Sequence, residues 1–94
     1  MMVRLERFTN NDTLIHDITD QSGIKIFTEI IDGKQYNIID SKEIGTILYY
    51  SKGQVVFKAT MLNDGVRYVF NRKVFKEKIS YQCGMYFSEV WNKK

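Results

Sequence analysis

The stretch that decides the predicted fold runs from Gln54 to Asn71 and reads Gln-Val-Val-Phe-Lys-Ala-Thr-Met-Leu-Asn-Asp-Gly-Val-Arg-Tyr-Val-Phe-Asn. Two runs of β-branched and aromatic residues flank Asp64-Gly65, and an Asp-Gly pair tolerates the positive φ angles of a type I′ hairpin turn. With that pair as a two-residue loop, Met61 lies opposite Tyr68. The stretch therefore predicts two antiparallel strands joined by a tight turn.

The two faces of this hairpin differ in character, because side chains alternate across a strand. One face is apolar and is expected to be core, and it carries Val55, Phe57, Ala59, Met61, Tyr68 and Phe70. The other face mixes aliphatic and charged groups, and it carries Val56, Lys58, Thr60, Leu62, Arg67 and Val69. Any function of the hairpin is expected on the mixed face, although a second core layer rimmed by lysines explains the same pattern.

Ile44 to Ser51 is predicted to be a strand that turns at Lys52-Gly53 and extends the apolar face of this hairpin. This register sets Tyr50 opposite Val55 and Leu48 opposite Phe57. A helix over the same residues remains open as the alternative, because Asp40 followed by Glu43 resembles a capping box and a later glycine is able to close the helix. The β-branched residues and adjacent tyrosines of the segment favour the strand.

The first hairpin of the chain is predicted from two alternating segments, Val3 to Phe8 and Thr13 to Thr19. Thr9-Asn10-Asn11-Asp12 between them is a cluster of turn residues. A short helix over residues 13–19, capped by Asn11 or Asp12, remains open.

A second N-terminal hairpin is predicted from Ile24 to Ile31, a β-branched run. It is followed by Asp32-Gly33 and then by residues 34–40, which are predicted to pair back. Ile26 then lies opposite Ile39.

The C-terminal residues 74–91 fit two patterns. Alternation over Val74 to Cys83 predicts a strand, and Met85 to Trp91 is predicted to be the last strand. A helical stripe also fits, formed by Phe75, Ile79, Cys83, Tyr86 and Val90. Gly84 lies inside that stripe and costs a helix about 1 kcal/mol, which favours strands.

These elements predict one domain over residues 1–94 of the all-β class. The strands are expected to form a small antiparallel meander, closed as a barrel or folded as a two-layer sandwich. An α+β fold with one short helix is the alternative.

Composition bears on the cellular location of the protein and on how charge is distributed along the chain. No apolar run approaches the roughly 18–20 residues of a membrane-spanning helix, and no leader opens the chain. A lone cysteine, Cys83, favours a reducing compartment, so a cytoplasmic location is predicted. The net charge is +3, and seven Lys/Arg against two Asp/Glu lie in residues 66–94. The basic rear of the chain predicts a one-sided electrostatic surface.

Few residues of the chain are suited to catalysis. His16 is the only histidine and Cys83 the only cysteine, so a nucleophile–base dyad of these two is the sharpest enzymatic hypothesis. Asp12, Asp17 and Asp20 offer carboxylates for acid–base work, although such residues near turns are usually caps. A four-ligand zinc site lacks the residues it needs. We therefore expect no enzyme, no metal and no cofactor.

The candidate binding residues lie on the mixed face and the strand after it. If Phe70 pairs with Phe75, then Arg67 lies opposite Lys78 and Val69 opposite Lys76. The predicted site for an anionic partner or nucleic acid consists of Lys58, Arg67, Arg72, Lys73, Lys76, Lys78 and Tyr49.

Two classes of function fit these residues. The first is a non-enzymatic protein-binding module, such as a small inhibitor or adaptor that a phage or mobile element encodes against a host protein. It is favoured by a surplus of aromatic groups suited to interfaces, Tyr36, Tyr49, Tyr86 and Trp91. The alternative is a nucleic-acid or nucleotide binder that uses the basic and aromatic sheet face. A homodimer through strand edges is also predicted as possible.

Overall fold

The computed structural model describes residues 1–28, 31–35, 42–63 and 65–92. Its strands are β1 (Met2–Phe8), β2 (Thr13–Ile18), β3 (Ile31–Gln35), β4 (Glu43–Ser51), β5 (Gln54–Leu62), β6 (Gly65–Phe70) and β7 (Lys73–Ile79). The helices are α1 (Gln21–Thr28) and α2 (Tyr81–Glu89), and a 3₁₀ turn, Val90–Asn92, follows α2.

The described strands form one antiparallel sheet in the order β2-β1-β4-β5-β6-β7-β3. The β-rich antiparallel meander is confirmed, because β4, β5, β6 and β7 follow one another along the chain and in the sheet. Closure as a barrel is wrong, since β2 and β3 lie at opposite ends of the described sheet. The second layer consists of helices, which the α+β alternative allowed for, although it expected one rather than two.

One face of the sheet packs against the helices and holds the core. Phe27 of α1 and Cys83 and Phe87 of α2 contact sheet residues that include Leu5 and Ile47. Each of these five residues is at most 2% exposed. We refer to the opposite face as the open face, because no helix of the described residues covers it.

The predicted strand over Ile24 to Ile31 is wrong, because residues up to Thr28 form α1. The Asp20 carboxylate caps this helix by accepting the Gly23 N–H at 2.8 Å. Gly23 and Phe27, four residues apart, both face the sheet. Cap and apolar spacing thus outweigh the β propensity of the isoleucines.

The predicted turn at Asp32-Gly33 is also wrong, since both residues lie within β3, which pairs with β7. The proposed partner of Ile26, Ile39, lies outside the described residues, as do residues 36–41 in general.

The last predicted strand, Met85 to Trp91, is wrong as well. Its residues belong to α2 and the 3₁₀ turn, and β7 ends at Ile79. Ser80 caps α2 by accepting the Cys83 N–H at 3.4 Å. The helical stripe was the correct pattern from Cys83 onward, because burial of this stripe against the sheet offsets the cost of Gly84.

The strand over Ile44 to Ser51 is confirmed, but a bulge reverses the predicted facing of its side chains. Tyr50 lies opposite Val55 as predicted, whereas the next pair is Tyr49 with Phe57. Val56 is the extra residue in β5. Ile47 and Tyr49 therefore face the core, and Gly45 lies where an added Cβ would clash with the Glu6 carbonyl oxygen.

The β5–β6 hairpin is shifted by two residues from the predicted pairing. Met61 lies opposite Val66 rather than Tyr68, and Leu62 pairs with Gly65. Gly65 is therefore the first residue of β6 rather than a loop residue; Asp64 lies outside the described residues. A shift of two residues keeps every side chain on its predicted face.

The β6–β7 hairpin is shifted in the same way. Arg67 lies opposite Lys76 rather than Lys78, and Val69 lies opposite Val74. The turn between these strands has two residues with positive φ, Asn71 at 51° and Arg72 at 66°. Positive φ at both central residues is typical of a type I′ turn, which matches the twist of the strands.

Candidate functional site

Four cationic side chains lie together on the open face, on three consecutive strands. Lys58 is on β5, Arg67 on β6, and Lys76 and Lys78 on β7. Arg67 lies directly opposite Lys76. Side chains paired in this way have Cβ atoms about 4.5–5.5 Å apart, so the cations form one contiguous surface.

Two valines lie on the same strands as these cations. Val69 and Val74 pair directly across β6 and β7 and are 60% and 63% exposed. Val74 shares its face of β7 with Lys76 and Lys78, because the three residues alternate along the strand. We refer to the whole surface as the basic half of the open face; it consists of Lys58, Arg67, Val69, Val74, Lys76 and Lys78.

A groove runs into this surface between β5 and β6. Pairing of the two strands ends at Ala59 and Tyr68, although β5 begins at Gln54. The groove has a volume of about 310 Å³ and is lined by Phe57, Lys58, Thr60, Arg67, Tyr68 and Val69. An incoming side chain is able to reach cations and apolar groups at the same place.

The electrostatic balance differs between the two halves of the open face. On the β1–β2 half, Arg4 and Asp17 form a two-point ion pair at 2.7 and 3.1 Å. This pairing raises the pKa of Arg4 and lowers the pKa of Asp17. The Arg4 guanidinium also lies 5.5 Å from the centre of the Tyr50 ring. On the β1–β2 half of the open face, the charge of Arg4 is therefore balanced by Asp17 of the neighbouring strand.

On the basic half, Glu43 forms an ion pair with Arg67. This pair is exposed, so it is expected to contribute at most about 1 kcal/mol to stability. Positive charge exceeds negative charge here even when Glu43 is included.

The two remaining predicted cations lie at and beside the β6–β7 turn, and Lys73 points to the helix side of the sheet because it precedes Val74 in the strand. Arg72 is in the β6–β7 turn and Lys73 is the first residue of β7, and both are exposed. A φ of 66° is unfavourable for an arginine, which has a Cβ, by about 1–2 kcal/mol. An exposed turn thus carries a cation at a position that glycine would occupy without strain.

Tyr49, the aromatic residue of the predicted site, does not belong to the open face. The bulge at Val56 turns it toward the helices, where it is 7% exposed. Its hydroxyl donates to the Phe27 carbonyl oxygen at 2.5 Å, and burial raises the pKa of the phenol. Tyr50, rather than Tyr49, lies on the open face, where its ring contacts Arg4.

The other candidate groups have structural partners. Cys83 is fully buried and its thiol donates to the Ile26 carbonyl oxygen at 2.8 Å. The His16 ring is flanked by Tyr86 and Trp91, and its Nε2 lies 3.5 Å from the Tyr86 hydroxyl. The structure thus gives the two members of the proposed dyad different partners.

The three candidate carboxylates each hold a local hydrogen bond or ion pair. Asp12 accepts the Thr13 N–H at 2.7 Å, and Asp17 pairs with Arg4. Asp20 caps α1, and the hydrogen bonds from Ser22 and Gly23 lower its pKa. These contacts account for the carboxylates as caps and an ion pair.

The described residues contain neither a candidate metal site nor a membrane-spanning helix. No group of three or more His, Cys, Asp or Glu side chains there is arranged to hold a metal ion. Within the same residues, no helix has the length and apolarity needed to cross a membrane. Comparisons of the chain with protein-family models, curated proteins and solved structures found no match.

The exposed valine pair is the part of the site that sequence reasoning did not single out. Alternation along β7 already placed Val74 with Lys76 and Lys78, so the signal for a shared face was present. The same pattern fits a second core layer. Only the placement of both helices on the other face leaves Val69 and Val74 in contact with solvent.

Proposed function

We propose that this protein is a non-enzymatic protein-binding module and that the basic half of the open face is its binding site. The observation that carries the proposal is the exposed Val69–Val74 pair on the same face as Lys58, Lys76 and Arg67. Interfaces commonly combine an apolar centre with a polar rim. The complementary partner has an apolar contact surrounded by Asp and Glu side chains.

The position of the aromatic side chains favours protein binding over nucleic-acid binding. Single-stranded nucleic acids are held by stacking of bases on exposed rings as well as by cations. Near the cations, however, the rings of Phe57, Tyr68 and Phe75 lie on the helix side of the sheet, where Tyr68 stacks on Phe75 and meets Phe57 edge-on. From the open face, Phe57 and Tyr68 are reached through the groove between β5 and β6. The basic half offers aliphatic groups in their place, and these suit a protein partner.

A nucleic-acid or nucleotide binder is the second candidate. It is supported by the cations on β5, β6 and β7, because side chains on adjacent strands are able to follow a phosphate backbone. Within the protein-binding class, the small size and the single binding face suit an inhibitor or adaptor of the kind that a phage or mobile element directs against a cytoplasmic host protein.

Charge reversal tests the site. We expect the triple variant Arg67→Glu, Lys76→Glu, Lys78→Glu to lose the protein that the wild type retains from a cell lysate. The matched control reverses the same number of charges at exposed lysines outside the basic half, Lys25, Lys42 and Lys52. Retention by the control and loss in the triple variant locate binding on the open face. Equal retention by both variants would refute the site.

A second variant separates the two classes of partner. Val69→Thr, Val74→Thr keeps both side chains β-branched but adds a hydroxyl to each, so strand propensity and charge are preserved. A protein partner is expected to bind this variant at least 10-fold more weakly, which corresponds to a loss of at least about 1.4 kcal/mol in binding free energy. Unchanged binding, together with loss on nuclease treatment and at high salt, would instead establish a nucleic-acid binder.

A further inference from the structure

The outer edge of β2 has the properties of a pairing surface. Among the described strands, β2 is at the end of the sheet and pairs with β1 alone. Its six residues pair with β1 without a register shift, so the edge is regular along its whole length. Leu14 and Ile15 on it are 40% and 56% exposed. An edge of this kind presents unpaired N–H and C=O groups to another strand.

The usual protections against edge pairing are missing from β2. The strand reads Thr-Leu-Ile-His-Asp-Ile, with no lysine, no proline and no bulge. Its one carboxylate, Asp17, is held by Arg4 of β1. The opposite edge strand, β3, differs: its sequence contains Asp32, Gly33 and Lys34, and its pairing with β7 is interrupted by a register shift.

We propose that β2 pairs antiparallel with β2 of a second copy of this chain, about a twofold axis at Ile15. Residues directly opposite in an antiparallel pair point to the same face, so two identical strands place each residue opposite one of the same parity. The axis therefore passes through a residue rather than between two. An axis at Ile15 keeps all of residues 13–17 paired.

The chemistry of β2 favours this axis over one at His16. With the axis at Ile15, that side chain meets its own copy, Leu14 meets His16, and the Thr13 hydroxyl meets the Asp17 carboxylate. Moving the axis to His16 places the imidazole opposite its own copy and Ile15 opposite Asp17. The first arrangement pairs aliphatic with aliphatic and donor with acceptor.

The twofold axis is perpendicular to the sheet, so both copies present their open faces on the same side. The basic halves then lie at the two far ends of one continuous sheet, because β7 is distant from β2 in the strand order. The dimer is suited to two-point attachment to a partner with two acidic sites.

Mass measurement is the first test. Sedimentation equilibrium of the full chain is expected to show a concentration-dependent species of twice 11.1 kDa. Ile15→Lys, which sets two lysines opposite each other at the axis, is expected to remain at the monomer mass with an unchanged circular dichroism spectrum. A wild type that stays monomeric up to about 1 mM overturns the proposal, as does a dimer that survives Ile15→Lys.

Cross-linking tests the axis without relying on that variant. Ile15→Cys places two cysteines opposite each other at a separation that a disulfide spans, and the native Cys83 is buried. Mild oxidation is expected to give a covalent dimer of Ile15→Cys at least 10-fold faster than of Val74→Cys, a slightly more exposed control on the same face. Equal rates for the two variants would contradict pairing at Ile15.

Discussion

Tyr49→Phe tests the packing that joins the helices to the sheet. The Tyr49 hydroxyl and the Cys83 thiol donate to the carbonyl oxygens of Phe27 and Ile26, which lie in the last turn of α1. Carbonyls there have no partner within the helix, so side chains from β4 and α2 complete its C-terminal end. Loss of the hydroxyl leaves the Phe27 oxygen buried and unpaired, and we expect a loss of about 1–3 kcal/mol in the free energy of unfolding.

Urea unfolding, followed by the fluorescence of the single tryptophan, Trp91, measures this loss. With an m-value of about 1–3 kcal/mol per molar, a loss of about 2 kcal/mol lowers the midpoint by about 1 M. The matched control is Tyr50→Phe, the same change one residue later on the open face, and it is expected to cost less than about 0.5 kcal/mol. Equal losses, or a larger loss for Tyr50→Phe, would refute the bulge and the facing of β4.

The pH dependence of unfolding gives a second view of Tyr49. Burial raises the pKa of this phenol above its usual value of 10.0. Above pH 10 the unfolded state releases the proton that the folded state retains, so stability falls as pH rises, by about 1.4 kcal/mol per pH unit for each such group. Burial also raises the pKa of Tyr68 and of Tyr86. Tyr49→Phe is therefore expected to make the alkaline fall shallower without abolishing it.

The other changes probe a helix, a strand and two turns. Gly84→Ala is expected to stabilise the protein by about 0.5–1 kcal/mol, because the added Cβ comes no closer than 3.8 Å to Ile79. Gly45→Ala is expected to destabilise it by about 1–3 kcal/mol, because its Cβ would clash with the Glu6 carbonyl oxygen. Thermal melts of the two variants test both packing environments. Arg72→Gly is expected to raise stability by about 0.5–1 kcal/mol and to weaken partner binding. Lys52→Gly, at a φ of 52° in the β4–β5 turn, is expected to raise stability without affecting binding. Equal binding by the two turn variants would exclude a role for the Arg72 charge.

Local sequence patterns predicted the strands more reliably than the pairing between them. The segments from Val3 to Phe8 and from Gln54 to Leu62 are strands as expected, because alternation and β-branched residues are properties of the segment itself. The exact pairing depended on turns and on register shifts, which alternation does not reveal. The two-residue shifts preserved the faces, while the bulge at Val56 exchanged Tyr49 for Tyr50 on the open face.

Local patterns predicted the helices less well than the strands. The residues of α1 read as a strand because isoleucine favours one, yet an Asp20 cap and inward spacing of Gly23 and Phe27 make a helix. For α2, the helical stripe that ends at Val90 was visible in the sequence. It was outweighed by Gly84, whose cost of about 1 kcal/mol is small beside the burial of Cys83 and Phe87.

The sequence by itself determined which cations share a face, because alternation along β5, β6 and β7 is indifferent to a shift of two residues. It also determined that aliphatic groups accompany those cations. Only the tertiary structure decided whether that face is core or surface. Both described helices pack on the other side, since the larger apolar groups lie there, and this leaves Val69 and Val74 exposed beside Lys76.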